Sequence, residues 1–230
     1  MPQLIPLYNS NSYQQLLIDI YNSIILKDII QHNDIKNSNL MGLLINFMID
    51  NTSKITSPNK IMESFLKDNR NTNIETLYKY IDSIVSSCLL EKVKRYDVKG
   101  KNILSTLEKF YLADVCFRNL IPNSDNQLGR KLENIIYNEL KFFSSSINVG
   151  KFDTKEIDFV VVSNTMNKYY IQVAYELNTS ETIEREFSPL RKLTDGCKRF
   201  VISMNSGYSE EGINNISVKE FLLNIEDYIK

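Results

Sequence analysis

Histidine occurs once, at His32, so no multi-histidine metal site can be built, and a Ser-His-Asp or Cys-His mechanism has one poorly placed base. Cysteine occurs three times, at Cys88, Cys116 and Cys197. An odd number at wide spacing suggests neither a disulfide framework nor a thiolate zinc site, and the three read as buried free thiols. Seven glycines and five prolines in 230 residues exclude the fibrous and disordered classes. Long apolar runs are missing too: the longest, residues 40–49, is short for a bilayer and contains Asn46. The apolar stretch 4–8 has neither a basic flank nor a small-residue cleavage site, so the expectation is a cytoplasmic protein with no membrane partner. Neither sign of charge dominates, with 27 Lys+Arg against 28 Asp+Glu. A globally basic nucleic-acid coat is excluded, and a charge-driven partner must be met by a local patch.

What is present is a helical first half. Tyr13, Leu16, Leu17, Ile20, Tyr21, Ile24 and Ile25 follow the i, i+3, i+4, i+7 pattern of an amphipathic helix. A second helix is expected from Ser38 as N-cap, and a third from Ser57 with proline at the first helical position, Pro58. Thr72 and Glu75 read as a capping box ahead of Ile74, Leu77, Tyr78, Ile81, Ile84 and Val85. Residues 89–96 read as a strand, 97–101 as a turn and 110–112 as a returning strand. Helices followed by a basic hairpin is the order of a winged helix-turn-helix, and equally of a helical bundle that packs on a neighbour.

Residues 121–126 combine proline with turn formers and are the expected boundary, giving a helical winged-helix-like region over 1–125 and an α/β domain over 126–230. Beyond it a helix from Leu128 to Phe143 is followed by β-rich segments at 147–152, 157–163, 168–175 and 199–204. A helix over 181–193 precedes the last of these, and another over 218–229 closes the chain. The fold class is α+β or α/β.

No G-x-x-x-x-G-K-[ST] stretch is present, so the chain builds no Walker A phosphate cradle, and G-x-G-x-x-G and G-x-S-x-G are missing as well. The constellation that could carry chemistry is in the second half. Glu133 flanks the apolar stripe of its helix. Asp158 interrupts an apolar strand, where an unpaired carboxylate would cost several kcal/mol without a cation, a donor or a strand end beside it. Gln172 shares a strand face with Tyr170 and Ala174. Two carboxylates and an amide oxygen are donors for a hard divalent cation, which favours magnesium or manganese.

Glu133, Glu156-Ile157-Asp158-Phe159 and Gln172-Val173-Ala174 resemble, in order, the acidic helix, the D and the (E/Q)-x-K of the PD-(D/E)XK nuclease-like, restriction-endonuclease-like fold. Lys109-Phe-Tyr-Leu-Ala-Asp114, Gly129-x-x-Leu-Glu133-Asn134, Tyr170-Ile-Gln-Val173, Glu184-Arg-Glu186 and Leu190 further resemble domain of unknown function 4143. That family sits C-terminal to the ATPase core of bacterial and archaeal AAA-type ATPases. The resemblance implies an ATPase module, in cis or in trans, and Met1-Pro2-Gln3 resembles the end of the segment that closes it, which implies a truncated or split gene. Active nucleases of the fold carry a lysine where this chain has Ala174, and alanine neither donates nor carries charge. The site is therefore expected to be degenerate at Glu133, Asp158 and Gln172, with Arg185 the candidate substitute cation.

For DNA, Lys92, Lys94, Arg95, Lys99 and Lys101 gather positive charge around a turn, and Lys79 adds to it from the preceding helix, whose exposed face also carries Glu75 and Asp82. The leading expectation is a DNA-associated accessory module of an AAA-type ATPase without cleavage activity of its own. The alternatives are a magnesium- or manganese-dependent nuclease and a protein-protein scaffold, including a homo-oligomer.

Overall fold

The computed structural model describes residues 12–33, 35–67, 72–121 and 127–230. The segment 1–3, the apolar stretch 4–8 and most of the expected boundary, 122–126, lie outside the described residues. The chain divides into two compact units, the first of residues 1–92 and 110–126, the second of residues 93–109 and 127–230. The outer part of the expected wing thus groups with the second unit.

In the first unit, α1 (Ser12–Ser23) runs into a π-helical segment (Ile24–Gln31) and is followed by α2 (Ser38–Asp50), α3 (Pro58–Lys67) and α4 (Ile74–Ser86). The helices form because apolar residues recur on one face, and that face is the core: Leu44, Ile45, Ile61, Phe65, Leu77 and Ile84 are all fully buried. Each such side chain contributes about 1.5–3 kcal/mol relative to an exposed one. Two helix starts differ from expectation. Asn37 caps α2, accepting from the Leu40 N–H at 2.9 Å, and Asn73 caps α4, accepting from the Thr76 N–H at 2.8 Å. In both cases the amide oxygen one residue before the helix reaches the orphan N–H, displacing the Ser38 cap and the Thr72–Glu75 box. Ser57 does cap α3, through the Lys60 N–H at 3.3 Å.

A seven-stranded mixed sheet follows, in the order β2-β1-β3-β4-β5-β6-β7. Its strands are β1 (Leu90–Asp97), β2 (Asn102–Leu112), β3 (Ser144–Phe152), β4 (Lys155–Ser163), β5 (Lys168–Ala174), β6 (Lys198–Ser203) and β7 (Asn214–Ser217). The β1–β2 hairpin is not a free wing. β1 pairs in parallel with β3, Arg95 opposite Val149 and Asp97 opposite Lys151, so its backbone groups are satisfied by the sheet. β2 is far longer than residues 110–112; its first residues are mostly exposed and mix polar with apolar side chains, and pairing holds them where no alternating pattern marks a strand. A short 3-10 turn, Val115–Leu120, follows it.

In the second unit α5 (Leu128–Phe143) lays Tyr137 against Phe159 of β4, ring centroids 6.2 Å apart. α6 (Ser180–Arg191) packs Phe187 and Leu190 into a core with Ile157, Tyr170 and Val201. The closing helix breaks at Asn224 into α7 (Val218–Leu223) and α8 (Ile225–Tyr228). Antiparallel β3–β4 and β4–β5 pairing sets the segment 156–158 beside Gln172, and the approach is close. A Cβ on Gly150 of β3 would lie 2.8 Å from Val160 Cγ2 and 2.9 Å from Ile157 Cβ, so glycine is required there. Among the described residues no helix is long and apolar enough to cross a membrane.

Candidate functional site

Strand alternation places Glu156 and Asp158 on one face of β4, and α5 presents Glu133 from the buried edge of its apolar stripe. All three carboxylates converge on Lys109, in the β2 segment that belongs to this unit. Its Nζ lies 2.5 Å from Glu156 Oε1, 2.9 Å from Glu133 Oε1 and 3.4 Å from Asp158 Oδ1. Lys109 is 2% exposed. Burial by itself would push its ammonium toward neutrality, but the carboxylates of Glu133, Asp158 and Glu156 outweigh that and raise its pKa well above the ordinary lysine value. The lysine is therefore a fixed positive charge.

The rest of the network orients Asp158. Its Oδ2 accepts from the Val173 N–H at 2.9 Å, and its own N–H donates to Gln172 Oε1 at 2.6 Å. The Gln172 amide then donates to Glu186 Oε2 at 2.9 Å. Arg185, mostly exposed, holds the other Glu186 oxygen at 2.7 Å. Burial, and after it the charge of Asp158, raises the Glu186 pKa above the ordinary carboxylate value, partly offset by Arg185 and Gln172. These groups open onto a cavity of about 460 Å³, lined by Glu133, Glu156, Asp158, Gln172 and Glu186 and by the cations Arg130, Lys155 and Arg185.

Of the residues expected from the sequence, Glu133, Asp158 and Gln172 do meet, and Arg185 stands at the same cavity. Gln172 Oε1 accepts from the Asp158 N–H, which ties β4 to β5 at this point. Arg185 pairs with Glu186 and makes no ion pair with the Asp158 cluster. Lys109, Glu156, Glu186, Arg130 and Lys155 were not singled out as site residues. The available signal was a lysine directly before the apolar run 110–112, weaker than that of Asp158, which has apolar residues on both sides.

Magnesium or manganese does not fit these residues as arranged. The point on which the three carboxylates converge is taken by an ammonium, and both Asp158 oxygens have donors. Among the described residues no group of three or more His, Cys, Asp or Glu is disposed to hold a metal ion.

The residues proposed for DNA are divided between the units: Lys79 and Lys92 lie in the first, Lys94, Arg95, Lys99 and Lys101 in the second. Lys79, Lys94 and Lys101 are exposed, and Arg95 is half-buried. Lys92 stands 3.8 Å from Asp82. Lys99 is 2.6 Å from Asp153 and lies over the Phe152 ring, so part of the expected charge is already balanced.

Residues 1–127 match the model of a family described as a domain of unknown function (DUF8612). The chain belongs to the DUF8612 family. An uncharacterized protein of Haemophilus influenzae is 32% identical over 208 residues, which cover 89% of this chain and 50% of that protein. Uncharacterized protein MJ1544 of Methanocaldococcus jannaschii is 27% identical over 236 residues, covering 100% of this chain and 52% of its own length. The chain thus spans about half the length of these curated relatives. No solved structure matches it. The family match ends just before α5, so it does not include the helix and strands that carry Glu133, Asp158 and Gln172.

Proposed function

We propose that this chain is a non-cleaving, DNA-associated accessory module of an AAA-type ATPase, and that its second unit is a nuclease-like domain whose site has become an internal ion-pair cluster. The observation that carries the reading is Lys109. The acidic helix, the acidic strand and the Gln-bearing strand keep the order of a nuclease site, but the position two residues after Gln172 holds the buried Ala174, and the ammonium present is locked among the carboxylates. A cation engaged on three sides is poorly placed to stabilise charge developing on a phosphate. Relatives about twice as long as the matched region support an additional module beside this one. Exposed Lys79, Lys94 and Lys101 support contact with a phosphate backbone.

The test is a salt titration of duplex binding, with cleavage followed in magnesium and in manganese. Binding weakens as salt rises. Neutralising Lys94, Arg95 and Lys99 together lowers the log-log salt slope by about 2, less than three full phosphate contacts because Lys99 also serves Asp153. No cleavage above that of Asp158→Asn is expected. Unchanged binding in the triple variant removes the hairpin from the interface. Cleavage that disappears in Asp158→Asn favours the second reading, a metal-dependent nuclease. That reading draws on the same lysine, since Lys109 brings to Asp158 the kind of cation missing at Ala174.

A further inference from the structure

Three side chains that could hold a divalent ion in a nuclease-like site all reach one atom of the chain itself. Glu156 Oε1, Glu133 Oε1 and Asp158 Oδ1 surround Lys109 Nζ at 2.5, 2.9 and 3.4 Å. An ammonium has three protons to give, and a helix and a strand deliver three acceptors to it. A dication at the same point would use the same oxygens, and two cations cannot share so small a volume shielded from water. We infer that Lys109 is the resident cation of this site, a tethered ammonium that takes the place of a divalent metal and holds the carboxylates together without one. The donor set agrees: Asp158 Oδ2 is committed to the Val173 N–H and Gln172 Oε1 to the Asp158 N–H, so the remaining oxygen ligands are already occupied by the protein. A corollary is that removing the lysine charge leaves three carboxylates that must draw together on an added cation, since they are not disposed to hold one as they stand.

This inference rests on reading the site as nuclease-like, but its test does not involve DNA or cleavage, so the two fail separately. Mn2+ uptake by the full chain is followed through the magnetic-resonance signal of the free aqueous ion, and melting is measured with and without Mn2+. Wild-type protein and Asp158→Asn are expected to take up Mn2+ equally weakly, with no shift in melting. Lys109→Met melts about 10 °C lower than wild type without metal. Added Mn2+ recovers most of that loss and is taken up by the variant on the order of tenfold more tightly than by wild type. The double variant Lys109→Met/Asp158→Asn loses the response. Wild-type uptake that Asp158→Asn abolishes overturns the inference, as does a folded Lys109→Met that ignores Mn2+. If Lys109→Met does not fold alone, refolding in Mn2+ decides: recovery supports the inference and continued failure overturns it.

Discussion

The two units each bury a cation, and they hold it by different means. In the first, Arg118 is 1% exposed and donates to the Ile49 and Asp50 carbonyls at 3.3 Å and to the Thr52 hydroxyl, at the carbonyl end of α2. It satisfies helix-terminal carbonyls and complements the negative end of the helix. In the second, Lys109 meets carboxylates in place of carbonyls. A guanidinium on backbone oxygens stitches a fold together. An ammonium among three carboxylates leaves two of their charges unbalanced locally, and Arg130, Lys155 and Arg185 at the wall of the same cavity offset them together with Glu186.

The comparison can be broken most sharply at Lys109. Lys109→Met strands three carboxylates with no internal cation and is expected to cost about 3–5 kcal/mol near neutral pH, read by denaturant unfolding. The loss should appear in hydrogen exchange of β4 and β5. The pH dependence has a definite sign. The folded pKa of Lys109 is raised, so its contribution is fully present below the unfolded value of about 10.4 and declines as pH rises from there through the folded pKa. Wild-type protein should lose stability in that alkaline window more steeply than Lys109→Met.

Arg118→Met comes next, at about 2–3 kcal/mol for leaving α2 carbonyls without their donor, with exchange protection lost around α2 instead. Gly150→Ala should cost about 1–2 kcal/mol by overpacking against Val160 and Ile157, and it should perturb the strand that carries Asp158. Glu186→Gln is the smallest, within about 1 kcal/mol at neutral pH. The raised pKa of Glu186 means its contribution is fully present below about 4.3 and falls as pH rises through the folded value. The variant should flatten the stability curve just above that pH.

Much of the site was legible because charge in an apolar strand is costly and therefore conspicuous, as at Asp158. Lys109 carries a weaker form of that signal, with apolar residues on one side only, and sequence alone does not say which carboxylates a lysine meets when they lie on a different strand and a helix. Glu156 was visible beside Asp158, but only the pleat tells which of the two faces it shares. The helices of the first unit were readable from periodicity, while their caps moved by one residue because an asparagine competes better for the first free N–H groups than the serine that follows Asn37 or the threonine that precedes Asn73. The pairing of the hairpin was not legible, because basic residues around a turn look alike whether or not the backbone continues a sheet.

The most direct test of the ion-pair account is a double-mutant cycle between Lys109→Met and Asp158→Asn, measured by equilibrium unfolding near neutral pH. The account predicts strong coupling, with the double variant more stable than the sum of the single losses by more than about 1 kcal/mol. Additivity within about 0.5 kcal/mol would show that the lysine and the aspartate do not depend on each other, and would contradict it.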